Sequence, residues 1–163
     1  MKKIFPLMIC VLTLAIAAAG QEMTQVDPAK AFEMTKAPST YLVDVRSAAE
    51  YHLVGHPPMA FNVPLSFWSE TEQSFISNPN FIDDLKSRFK PDDTLLFICR
   101  AGGRSLRAAQ AAIKAGFVKS VNVVQGFEGE KDENGRPTKG GWKNAGLPYT
   151  YAIDPALSYA PKK

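Results

Sequence analysis

An apolar run that ends in a cysteine, a pair of glycines and two arginines sets the strictest condition on this chain. Thr94 opens the stretch, Leu95, Leu96, Phe97 and Ile98 follow, and Cys99-Arg100-Ala101-Gly102-Gly103-Arg104 leads into a helical pattern from Ser105. A short apolar run bounded by turn signals predicts a buried strand. Leu106, Ala109, Ile113 and Phe117 then fall on one side of a helix, with Gly116 near its end, and Ser120 to Val124 reads as the next strand. Strand, helix and strand joined this closely predict a right-handed βαβ unit and parallel pairing. Open parallel sheets bind ligands beyond the C-terminal ends of their strands, which puts Cys99 at a sheet edge facing a crevice, outside the core. Loop N–H groups and a helix N-terminus there favour an anion, and therefore a thiolate over a thiol.

The preceding chain predicts the rest of an α/β domain. Asp27-Pro28 starts a helix that runs to about Lys36, with Ala31, Phe32 and Thr35 inward, after a loose entry segment up to Asp27. Tyr41 to Val45 and Ala60 to Val63 read as short strands, with a turn of helix around Ala48 to Tyr51 between them. Phe81, Ile82, Leu85 and Phe89 have helical spacing, giving an amphipathic helix over Asn80 to Phe89. The segment from Ser66 to Asn80, with Phe67, Trp68 and Phe75, reads either as a lid or wall over the site or as an ordinary packed loop.

At the N-terminus, Lys2 and Lys3 precede an apolar stretch from Ile4 to Ala19 that closes on Ala17-Ala18-Ala19-Gly20. That layout predicts a secretory signal peptide over residues 1–20, cut after Ala19 or Gly20, and a single domain over 21–163. The stretch is shorter than the roughly 20 residues needed to span a bilayer, so no stable membrane contact is expected after cleavage. The expected location is outside the cytoplasm, periplasmic or secreted. Removing Lys2 and Lys3 lowers the net charge from +3 to +1, a balance that offers nothing to nucleic acid. Cys10 leaves with the leader, so Cys99 becomes the only thiol, and a lone thiol in an oxidising compartment points to reactivity.

Leu42-Val43-Asp44-Val45-Arg46, Glu50-Tyr51, Gly55-His56, Asn62-Val63-Pro64-Leu65, the Cys99–Arg104 loop, Gly141-Trp142 and Ala145-Gly146-Leu147-Pro148 occur in an order that resembles single-domain rhodaneses. The resemblance covers about residues 26–150. It implies a rhodanese-like α/β fold, a mainly parallel central sheet flanked by helices on both faces, and a thiosulfate-type sulfurtransferase activity. It also implies that Cys99 carries sulfur as a persulfide, with no further cofactor. Asp44 and Arg46 would form a supporting salt bridge or loop hydrogen bonds, and His56 would fix a turn. Trp142 would pack under the cysteine loop or against the C-terminal segment.

The residues themselves support this chemistry. Cys99 would attack the outer sulfur of a small donor such as thiosulfate, and cyanide, a small thiol or a protein acceptor would remove it. The N–H groups of Ala101, Gly102, Gly103, Arg104 and Ser105 would hold the anionic persulfide, and Arg100 and Arg104 would orient the donor. Cysteine phosphatases place five residues between cysteine and arginine, a ring that fits a tetrahedral phosphate. Here four residues intervene, so the tighter ring disfavours phosphate chemistry. A non-catalytic persulfide carrier on the same scaffold is the alternative of a different kind. No metal site is expected. His52 and His56 have helical spacing without a third ligand, and Glu130, Asp132, Asn134 and Gly135 imitate a calcium loop whose twelfth position is Gly141. Pro57-Pro58-Met59 and the polar insertion from Glu130 to Gly140 depart from the family pattern, and the tail from Tyr149 onward is expected to strap one side of the domain.

Overall fold

The computed structural model describes residues 23–160; the expected signal segment and Cys10 lie outside the described residues. In chain order the elements are β1 (Gln25–Val26), α1 (Pro28–Met34), β2 (Thr40–Asp44), α2 (Ala48–Val54), β3 (Phe61–Asn62), β4 (Ser66–Ser69) and β5 (Ser74–Ser77). Then come α3 (Phe81–Arg88), β6 (Thr94–Ile98), α4 (Gly103–Lys114), β7 (Ser120–Val123), β8 (Glu130–Lys131) and β9 (Pro137–Lys139). Five strands form one parallel sheet in the order β1-β7-β6-β2-β3, with β6 in the middle.

Alternation along β6 divides the interior into two layers. Leu95 and Phe97 join Val43, the α3 residues Phe81 and Leu85, and the α4 residues Ala108, Ala109 and Ala112 on one face. Leu96 and Ile98 join Leu42, Val121, Val123, Ala31 of α1 and Tyr51 of α2 on the other. The central strand β6 is thus covered on both sides, which is why Leu95 to Ile98 is a continuous apolar run. The same alternation sends the helix after β2 to one face and the helix after its neighbour β6 to the other. Their C-terminal ends part there, and a crevice opens at this reversal of winding.

Several elements differ in extent from the sequence reading. The entry segment is not loose, because Gln25 and Val26 pair with Asn122 and Val123 as β1. The turn around Ala48 is a full helix, started by a capping box in which Ser47 and Glu50 satisfy each other's backbone N–H groups. Helix α4 begins at Gly103, two residues earlier than Ser105, and its buried face is Ser105, Ala108, Ala109 and Ala112. Leu106 and Ile113, expected inward, are only half-buried. A row of small residues lets the helix lie close to the sheet, and that contact outweighs the larger side chains one position away. The segment from Ser66 is an antiparallel hairpin of β4 and β5, with Trp68 opposite Phe75 and their rings 5.5 Å apart.

The insertion folds as the small hairpin β8–β9, turned about Asp132. Its carboxylate accepts from the N–H groups of Asn134 and Arg136 and from the Thr138 hydroxyl, so the calcium-like spacing serves an Asx turn. The two histidines also serve separate neighbours, His52 near the Ser158 hydroxyl at 3.4 Å and His56 at the Pro57 carbonyl at 3.1 Å. The tail straps the domain. Thr150 exchanges backbone hydrogen bonds with His56, Leu157 O accepts from Asn62 N, and Arg88 donates to the carbonyls of Ala156 and Ser158. Among the described residues no helix is long and apolar enough to cross a membrane.

Candidate active site

Cys99 follows the central strand directly. Position 99 shares the sheet face of Leu95 and Phe97, so its side chain turns under α4 and is only 1% exposed. It is therefore more enclosed than the crevice position expected from sequence. Cys99 is nevertheless one of the residues around an open cavity of about 420 Å³, together with Leu65, Phe75, Arg100, Arg104 and Arg107. Gly102 N–H donates to Sγ at 3.1 Å, and Ser105 Oγ lies 3.3 Å from Sγ and 2.9 Å from Gly102 O. Gly102 has φ +99°, a left-handed conformation that aims its N–H back at the sulfur and that a side chain would strain. As N-cap it caps nothing with a side chain, so the first turn of α4 keeps its positive end for the sulfur.

The loop is held from behind by the turn after β7. Phe127 N–H donates to Cys99 O at 2.7 Å and Glu128 N–H to Arg100 O at 2.9 Å. Gly126 sits against this backbone at φ +58°, where an added Cβ would collide with Cys99 O and lie 2.7 Å from the Arg100 carbonyl. Gly126→Ala is expected to lower stability by about 2–3 kcal/mol through strain and to displace the cysteine loop. Urea unfolding and the alkylation rate of Cys99 check this together, and unchanged values of both would remove the bracing role.

Arg104 was expected to face a donor; the structure gives both its terminal nitrogens to Glu50. The distances are 2.7 Å from Nη1 to Oε2 and 2.6 Å from Nη2 to Oε1, a bidentate pair that ties the cysteine loop to the first turn of α2. Glu50 hydrogen bonds, opposed by burial and helped by the charges of Glu50 and Cys99, hold the guanidinium above its ordinary range. Burial pushes the Glu50 carboxyl up, but Arg104 and the Ser47 N–H pull it down to about 2. A carboxyl depressed by folding stabilises the fold above its unfolded value near 4.3, and that contribution fades as pH falls towards 2. After discounting for solvent screening the effect is about 1–2 kcal/mol. Glu50→Gln should abolish this part of the acid sensitivity, which urea titrations at pH 6 and pH 3 would measure.

Arg100 lies farther out, with Nε 3.5 Å from Glu128 and a side chain 41% exposed. Ala101 and Gly103 line the cavity, whereas Ser105 is buried beneath it. Asp44 and Arg46 are both fully buried as an ion pair, Arg46 Nε contacting both carboxylate oxygens and Nη2 donating at 2.6 Å. Nη2 also donates to Gly55 O, and the guanidinium lies 4.4 Å from the Phe127 ring centroid. Burial opposes the Arg46 charge, yet Asp44 keeps it above its ordinary range. His56 stacks on Tyr51 at 3.6 Å, and burial with the Asp44 charge pushes the Tyr51 phenol up. Trp142 is buried against Phe32, its indole N–H donates to Pro148 O and its backbone N–H to Gly126 O in the turn behind the cysteine loop.

A family model for the rhodanese-like domain matches residues 27–133. The chain belongs to the rhodanese-like family. Thiosulfate sulfurtransferase 16 of Arabidopsis thaliana is 33% identical over 97 residues, 60% of this chain and 78% of that one. Senescence-associated protein DIN1 of Raphanus sativus is 32% identical over 113 residues; the match takes in 69% of this chain and only 60% of the radish protein's length. The crystal structure of Rv0390 from M. tuberculosis superposes with a TM-score of 0.68 at 34% identity, over 79% of this chain and 98% of that one. With this rhodanese-like fold in place, three contributors absent from the sequence reading of the site stand out. Glu50 holds Arg104, the turn at Gly126 braces the loop, and Arg107 lines the cavity. Arg107 left a sequence signal in its spacing of three from Arg104 on the same helix, and Glu50 in its place among the residues that carry the resemblance.

Proposed function

We propose that this protein is a sulfurtransferase that moves a sulfane sulfur from thiosulfate, or a related anionic donor, to cyanide or a thiol through a Cys99 persulfide. The observation that supports it best is a Cys99 Sγ that receives the Gly102 N–H at 3.1 Å, in a six-residue loop that borders the cavity. The thiolate attacks the outer sulfur of thiosulfate, a new S–S bond forms, and the old one breaks with its electron pair leaving on sulfite. Cyanide or a thiolate then attacks the terminal sulfur, and the electron pair returns to Cys99. The Gly102 N–H serves the anionic sulfur in both half-reactions, and the end of α4 adds to it. Two half-reactions joined by a covalent intermediate predict ping-pong kinetics.

Intact-mass measurement after mixing with thiosulfate tests the reading: the protein should gain one sulfur atom and lose it to cyanide. A protein that gains no sulfur from thiosulfate or polysulfide is not this enzyme. Loading without steady thiocyanate production would make it a persulfide carrier instead. Export is part of the proposal, and the secreted chain should begin at Gly20 or Gln21 by N-terminal sequencing.

A further inference from the structure

Two of the cavity's three arginines already have carboxylate partners, Arg104 in Glu50 and Arg100 in Glu128. Arg107 lines the same cavity, is exposed, and has no hydrogen bond or ion pair among the described residues. It lies one turn along α4 from Arg104, on the same side of the helix. Phe75 of the β4–β5 hairpin packs on the Arg104 guanidinium at 5.7 Å and also lines the cavity. The cavity lining therefore combines a braced arginine with an exposed, uncommitted one.

We propose that Arg107 recognises the anionic end of the sulfur donor and selects donors bearing negative charge away from the transferred sulfur. Arg104 serves as a brace for the loop. This rests on the sulfurtransferase reading. An unpaired guanidinium has donors to give a sulfonate-like group without breaking an existing pair, whereas recruiting Arg104 would leave the half-buried Glu50 carboxylate uncompensated. The exposed Arg107 charge also acts at a distance, so capture of a dianion should weaken as salt rises.

Two measurements test the assignment. Thiosulfate binding is measured by calorimetry on Cys99→Ser protein, which stops chemistry, with and without Arg107→Ala. Loss of Arg107 should weaken binding about tenfold. In steady state, Arg107→Ala should lower kcat/KM for thiosulfate about tenfold and flatten its salt dependence, with a loss of about threefold or less for singly charged methanethiosulfonate. Arg107→Lys should restore most of the thiosulfate value, and Arg100→Ala should cost less than Arg107→Ala. Equal binding by the two Cys99→Ser proteins, or a larger loss in Arg100→Ala, would overturn the proposal while leaving sulfur loading intact. If the wild type gains no sulfur but thiosulfate binding still depends on Arg107, the transfer reading falls and the anion site stands.

Discussion

Cys99→Ser should remove sulfur loading altogether and cut thiocyanate production by at least about 10⁴-fold, because a neutral hydroxyl cannot attack a sulfane sulfur or carry it as a persulfide. The exchange is nearly isosteric at a position that is 1% exposed, and the Gly102 N–H still finds an acceptor in the serine oxygen. Stability should therefore change by less than about 1 kcal/mol, which separates lost chemistry from lost folding. Mass measurement, thiocyanate assay and urea unfolding on the same preparation give the three numbers. Sulfur acquired by the serine variant would place the reacting atom elsewhere and undo the assignment of the site.

Arg46→Met should lower stability by about 3–5 kcal/mol, the largest folding effect expected of a single change here. The substitution roughly fills the space but withdraws the Nε and Nη2 donors from an Asp44 carboxylate that no water reaches. Asp44 keeps only the Arg46 backbone N–H at 3.0 Å, and Gly55 O loses its side-chain donor. For a domain of this size the melting temperature should fall by about 10–15 °C. A double substitution, Asp44→Leu with Arg46→Met, should recover part of the loss, because it removes the orphaned charge along with its partner. Thermal and urea unfolding decide it: a single-variant loss below about 1 kcal/mol would mean that the pair contributes nothing.

This pair also shows how far the residues speak for themselves. Asp44 and Arg46 are legible as supports only through the family resemblance, and their burial as a pair shows the physical reason. The strands β2 and β6 are legible from their apolar runs, Tyr41 to Val43 and Leu95 to Ile98, which burial on both faces requires. The cysteine loop is legible because glycine is needed where the backbone turns left-handed at Gly102. The hairpin at Ser66 is less so, since its paired aromatics, Trp68 and Phe75, read equally well as loop packing.

Taken alone, the sequence determined the α/β class, the parallel unit around β6 and the place of Cys99 at the end of its central strand. All of these follow from local periodicity and local turn chemistry. Only the tertiary structure decided which carboxylates the loop arginines pair with. Glu50 lies 54 positions from Arg104 and Glu128 lies 28 from Arg100, and no local pattern says that each carboxylate finds its arginine. Charge pairing across a fold depends on where the strands and helices bring distant groups. Which cation is left free for an anion is therefore a property of the assembled molecule.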